Sequence, residues 1–293
     1  MDPLRSWLFA PGNHARKVEK VFTVGADAVV LDLEDAVAPE QKAATRATVV
    51  EALKVRPGRA SRGYIRVNSS DTDFCYGDLH AVIGPWLDGI LLPKVESASQ
   101  LQMIGWLMAQ IERERGMAVG GLDILPIIET GQGVAAINEI AQAGTRVKRV
   151  SFGAGDFTND MGMVWTADEN ELSHARSVIA LASRVAGLEA PIDTVFINLQ
   201  DDVHLEQSAR TALALGFRGK LCIHPAQITP VNTVFTPSEE EVARALKHVE
   251  AFAAAEAAGS ASIQVDGYFV DYPIYEKAQR TLALMAAIEA KDG

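Results

Sequence analysis

Short, nearly uncharged apolar runs alternate along the chain with longer stretches of helical periodicity. The pattern predicts strands at Ser6–Ala10, Ala28–Leu33, Tyr64–Val67, Gly89–Leu92, Ile124–Ile128, Arg149–Phe152, Thr194–Ile197 and Lys220–Ile223. Each run is continuous rather than alternating and is bounded by Gly, Pro, Asp or Asn, as expected for parallel strands covered on both faces. Between most of them lie helix-like segments with start and stop signals. Asn13 is placed to cap a helix through Phe22, with Gly25 beyond its end. Pro39 suits the first position of a helix to about Leu53, and Ser97 or Ser99 a cap for one that ends before Gly116. Gly133–Ala143, Glu171–Ala186 and Asp202–Leu215 continue the series. Parallel strands need helical crossovers, so eight strand–helix units predict an α/β fold, a (β/α)8 TIM barrel, ahead of a doubly wound open sheet.

The chain outlasts the eighth unit. Ser238-Glu239-Glu240-Glu241 is a capping-box pattern opening a helix to about Ala258, Gly259–Ser262 breaks it, and a last helix follows from about Pro273. The expected organisation is a barrel over residues 1–235 and a C-terminal helical extension or lid over 236–293.

The composition excludes several classes of function. Of 293 residues, 27 are Lys or Arg and 38 Asp or Glu, for a net charge of -11. Such a chain with no long basic run is a poor partner for nucleic acid or an anionic membrane. No apolar stretch reaches the length of a membrane span, and the start lacks a signal-peptide pattern. Cys75 and Cys222 form no CxxC or zinc spacing. A cytoplasmic protein with reduced thiols is the expectation.

In a barrel, chemistry gathers at the carboxyl ends of the strands. There the sequence places Pro11-Gly12-Asn13, then Asp32, Glu34 and Asp35, then Arg66 and Asn68, then Lys94 and Glu96. Glu129, Gly153-Ala154-Gly155-Asp156, Asn198 and His224 follow. Glu129 and Asp156 end consecutive strands, and two neighbouring carboxylates suit Mg²⁺, which is often held by one or two carboxylates plus waters and substrate. The alternative is that each caps a helix. Arg66, inside a short apolar run, needs an anion: a ligand carboxylate, or an internal ion pair with Asp32 or Glu34. Alternation points Asp32 and Glu34 to one side, to support Arg66 or hold a metal-bound water; a solvated acidic turn is the alternative. His224, before a proline, reads as structural.

At these strand ends the sequence resembles the citrate lyase beta-subunit-like proteins of the HpcH/HpaI aldolase superfamily, which includes malyl-CoA and citramalyl-CoA lyases. The resemblance runs through Arg5–Gly12, Gly25–Val37, Arg66-Val67-Asn68, Leu92–Glu96, Pro126–Thr130, Phe152–Asp156, Gly219–Pro225 and Val265-Asp266-Gly267, in order over nearly the whole chain. It implies a TIM barrel in homotrimers or homohexamers and Mg²⁺ on Glu129 and Asp156. It implies substrate binding at Arg66, with Glu129, Asp32, Glu34 and Asp35 beside it. Further, it implies CoA contacts at Arg16 and Lys20, and Asp271 as a base from a neighbouring subunit's tail. The chain departs from the family pattern at Gly155, often Glu in relatives, and at the bulky Tyr268-Phe269 pair.

The implied reaction is reversible cleavage of a 3-hydroxyacyl-CoA, such as malyl-, citramalyl- or citryl-CoA, to a 2-oxo acid and an acetyl thioester. A CoA-independent pyruvate or oxaloacetate aldolase, or a citrate lyase subunit acting on a carrier-bound thioester, is the alternative. Lys94 and Lys220 are the available Schiff-base lysines, and a metal mechanism needs neither.

Overall fold

The computed structural model describes residues 3–58, 61–144 and 146–292, which form two compact units. The larger, Leu4–Thr233, holds a closed barrel of eight parallel strands. These are β1 (Ser6–Pro11), β2 (Ala28–Asp32), β3 (Arg62–Arg66), β4 (Gly89–Leu92), β5 (Asp123–Ile128), β6 (Ser151–Phe152), β7 (Ile192–Asp193) and β8 (Gly219–Cys222). β8 pairs with β1 to close it, Ser6 opposite Lys220. Leu4, Trp7, Tyr64, Leu91, Leu125, Ile192 and Leu221 form a buried cluster from strands all around the barrel.

Local signals explain most of the helices. Pro39 is at the first turn of Pro39–Val55. Ser97 caps Ala98–Glu114 in a capping box with Gln100, and Gly116 follows with φ 65°. Three expectations are corrected. The first helix spans Ala15–Lys20 and begins after His14, not Asn13, whose side chain donates to Gln41 instead. The segment over 133–143 is two short helices, Gly131–Ala135 and Ile137–Ala141, parted at Ala136. The seventh strand is Ile192–Asp193 rather than 194–197, so Asn198 does not end it. A buried aspartate in so short a strand reads as a boundary, which shifts the predicted run forward.

The smaller unit comprises Pro3 and the described residues from Val234 onward. Ser238 caps Glu239–Ala257 in the predicted capping box. β9 (Ile263–Val265) and β10 (Tyr268–Val270) pair as a hairpin. Its two turn residues, Asp266 (φ 49°) and Gly267 (φ 84°), both take the left-handed conformation such a turn requires. The last helix, Tyr272–Asp292, lays Tyr275 on fully buried Phe252 at 4.9 Å between ring centres. No helix among the described residues is long and apolar enough to cross a membrane.

Candidate active site

The carboxyl ends of the barrel strands enclose a cavity of about 410 Å³. Asp32, Asp35, Arg66, Glu129 and Asp156 line it, with Lys17, Thr194 and an apolar set that includes Phe9, Ile127, Val195 and Leu221. Parallel register sets the first charge pair, because Asp32 ends β2 directly opposite Arg66 at the end of β3. The guanidinium forks onto Asp32, Nε to Oδ1 at 2.8 Å and Nη2 to Oδ2 at 2.6 Å. Nη1 is 2.8 Å from Glu34 Oε2, an ion pair without an aligned hydrogen bond, and 3.7 Å from the exposed Asp35. The group also lies over the Phe9 ring, 5.0 Å from its centre. Burial opposes the guanidinium charge, but Asp32 and Glu34 outweigh it and raise its pKa. The internal ion pair is therefore real, and it holds Arg66 at the cavity wall.

Glu129, which follows β5, is almost fully buried. It caps nothing: Thr130 caps the next helix by accepting from Gly133 N. Its Oε1 instead accepts from the backbone N–H of Lys94 at 2.8 Å. Gly153 makes room for the other oxygen, since a Cβ there would stand 2.6 Å from Oε2. Burial, followed by the charges of Glu34 and Asp156, pushes the Glu129 pKa up to about 8 against the pull of Arg66. Asp156 sits half-buried in the first turn of Ala154–Asp160 and accepts no hydrogen bond among the described residues.

These residues fit Mg²⁺. Two oxygen donors face one cavity, one with its charge disfavoured by burial and by neighbouring acids, the other accepting no hydrogen bond among the described residues. No group of three or more His, Cys, Asp or Glu side chains among the described residues makes a ready metal cage. Mg²⁺ does not require one, because it keeps waters and takes oxygens from substrate.

Lys94 and Lys220 are both committed elsewhere. Lys94 Nζ donates to Glu34 Oε1 at 2.6 Å, and Glu34 raises its pKa against the effect of burial. Lys220 is fully buried on Asp193 and Ser208. His224 caps the turn after β8, its Nδ1 accepting from Ala226 N. Arg16 and Lys20 are exposed, one helical turn apart, and neither lines the cavity, whereas Lys17 does. Asp271, in the second unit, is the cap of the last helix: its Oδ1 accepts from Ile274 N at 3.4 Å.

Sequence reasoning missed Phe9, Lys17 and Thr194. Alternation along β1 carries a signal for Phe9, and helical spacing one for Lys17. Thr194 was hidden by the misplaced seventh strand; its hydroxyl accepts from Ala154 N at 2.8 Å and so caps the helix that carries Asp156.

Acids and an arginine at the carboxyl rim of a parallel eight-stranded barrel mark the active site of a (β/α)8-barrel enzyme. The HpcH/HpaI aldolase/citrate lyase family model matches residues 5–225, and the chain belongs to that family. It is 38% identical over 283 residues to the citrate lyase subunit beta of Leuconostoc mesenteroides subsp. cremoris, covering 97% of this chain and 93% of that one. It is 35% identical over 297 residues to an L-malyl-CoA/beta-methylmalyl-CoA lyase of Cereibacter sphaeroides, covering 94% and 93%. Among solved structures, CitE from Mycobacterium tuberculosis, in complex with magnesium, acetoacetate and coenzyme A, superposes with a TM-score of 0.78. That match has 30% identity and covers 96% of this chain and 98% of that one.

Proposed function

We propose that this protein is a Mg²⁺-dependent lyase that cleaves or forms a 3-hydroxyacyl-CoA, with a 2-oxo acid and an acetyl thioester as the other side of the equilibrium. The observation that carries the reading is the pairing of Glu129 and Asp156 beside Arg66 in one cavity. Glu129 and Asp156 would hold the ion. Bound there, Mg²⁺ supplies Lewis acidity to the carbonyl or hydroxyl oxygen at the bond that breaks.

The chain's own residues do the rest. The guanidinium of Arg66 has five N–H donors, and the fork onto Asp32 uses two. Donors on Nη1 and Nη2 are left for the carboxylate of the oxo acid and for charge that develops as the bond breaks. Asp32 and Glu34 keep the guanidinium aimed, with Asp35 at the cavity edge. Phe9, Val195 and Leu221 give the reacting carbons an apolar surface. Arg16 and Lys20 take the phosphates of CoA, and Asp271 of a neighbouring subunit in a trimer or hexamer acts as the base. In condensation it removes a methyl proton from acetyl-CoA while the former carbonyl oxygen takes up a proton from water; in cleavage the hydroxyl gives its proton to water and protonated Asp271 delivers one to the enolate carbon.

The test is the purified protein alone, with Mg²⁺ and separately with malyl-CoA, citramalyl-CoA and citryl-CoA. Cleavage of at least one, lost with a chelator and restored by Mg²⁺, is expected. Activity on free hydroxy acids only would assign an aldolase. Activity only in the presence of an acyl-carrier partner would assign a subunit of a citrate lyase complex.

A further inference from the structure

Lys94 has a left-handed backbone, φ 51°, one of three such non-glycine residues among those described. A lysine has no local reason to adopt it, because its Cβ crowds the following carbonyl there and its side chain cannot bond its own backbone as Asn or Asp can. Something must hold it, and two contacts at opposite ends of the residue do so. Its Nζ is anchored on Glu34 Oε1 at 2.6 Å, and Glu34 is itself nearly fully buried and ion-paired with Arg66. Its backbone N–H then points at Glu129 Oε1, 2.8 Å away. Between them these contacts tie the end of β2, the end of β4 and the end of β5 into one frame.

We propose that Lys94 is a positioning residue: its ammonium, anchored on Glu34, holds a left-handed turn whose N–H fixes Oε1 of Glu129, so that Oε2 is presented to the cation. Gly153 completes the clamp from the other side, where a Cβ would collide with Oε2. The lysine touches neither the cation nor the substrate in this role. It acts through Glu34 on one side and Glu129 on the other, and the alkyl stem between Nζ and the backbone is the link. The inference rests on Glu129 being a Mg²⁺ ligand.

Two substitutions separate a backbone role from a charge role. Lys94→Met removes the anchor while leaving a Cβ in a left-handed turn, so the turn relaxes and the N–H leaves Glu129. Lys94→Gly also removes the ammonium, but glycine takes positive φ freely, so the turn and its N–H survive. Mg²⁺ binding is measured by calorimetry in wild type and both variants, with hydrogen exchange at the amide of position 94 followed in the metal-free proteins. The expected result is a loss of about 10- to 100-fold in Mg²⁺ affinity for Lys94→Met, the usual range for partners that orient a ligand, with recovery to within a few-fold in Lys94→Gly. Amide protection should fall in the first variant and persist in the second. If the lysine acts only through its charge, removing a cation beside the site strengthens Mg²⁺ binding equally in both variants, and that result overturns the proposal. Unchanged affinity in both overturns it too. Wild-type protein that binds no Mg²⁺ overturns the metal site and this inference together, whereas normal binding by wild type and Lys94→Met alike removes only the role of Lys94.

Discussion

Arg66 shows why residue type matters more than charge at this site. It spends two donors in a fork on Asp32, rests a third nitrogen against Glu34, and is stacked on Phe9. A lysine keeps the charge but offers three donors from one point, so it cannot satisfy two buried acids and still reach a ligand. Arg66→Lys should weaken pyruvate or oxaloacetate binding by about 1.5–3 kcal/mol, the usual range for a hydrogen bond between charged groups. Calorimetry in saturating Mg²⁺ checks it, and unchanged affinity would make Arg66 purely an internal ion pair. The side chains of this cluster were legible because charge at the end of an apolar run is conspicuous. Asp32, Glu34, Arg66, Glu129 and Asp156 all stand out in that way. What the sequence could not show is who holds whom. The bond from the Lys94 N–H to Glu129 belongs to the backbone, which every residue but proline carries, so no letter marks it.

Among the elements, the barrel was readable as eight apolar runs, and the one misplaced strand failed for an identifiable reason. β7 is two residues long, and one of them is Asp193, fully buried between β8 and the helix Ser173–Val185. Arg176 Nε reaches its Oδ1 at 2.8 Å, and Lys220 Nζ its Oδ2 at 2.6 Å. Burial by itself would raise the carboxyl pKa; Lys220 and Arg176 outweigh it and hold it below the ordinary range. A carboxylate depressed in this way contributes stability that is present above its unfolded pKa, about 4, and is lost as pH falls through the lower folded value. Asp193→Ala leaves two buried cations facing a hole and should cost about 3–5 kcal/mol at neutral pH. The gap between wild type and variant should then narrow below about pH 4, as the wild-type carboxyl protonates. Denaturant unfolding at pH 7, 5 and 3 measures it. A gap that stays constant to pH 3 would mean that the charge of Asp193 does not matter to the fold.

For the whole molecule, the question is how the two units divide the work. The barrel unit holds Glu129, Asp156 and Arg66, while Asp271 stands in the other unit at the head of its last helix. Its local geometry is that of a helix cap, with Oδ1 accepting from Ile274 N. The fold alone therefore gives Asp271 a sufficient structural role, and a catalytic one has to be tested against it. Asp271→Asn does this, because asparagine caps a helix about as well as aspartate but cannot accept a proton as a base. Under both readings the melting temperature should hold and Mg²⁺ should bind normally. Only loss of a general base predicts a fall in turnover of about 10²–10⁴-fold on the true thioester. If the base is supplied across a subunit boundary, each catalytic centre draws on two chains. Asp271→Asn and Glu129→Gln subunits, each inactive alone, should then regain part of the wild-type activity when unfolded together and refolded as a mixture. The regained activity should follow the fraction of mixed pairings, peak near equal proportions, and be absent when the two variants are refolded separately and then combined without exchange. Full turnover by Asp271→Asn alone would return the residue to its cap and leave the proton transfer to a group on the barrel rim.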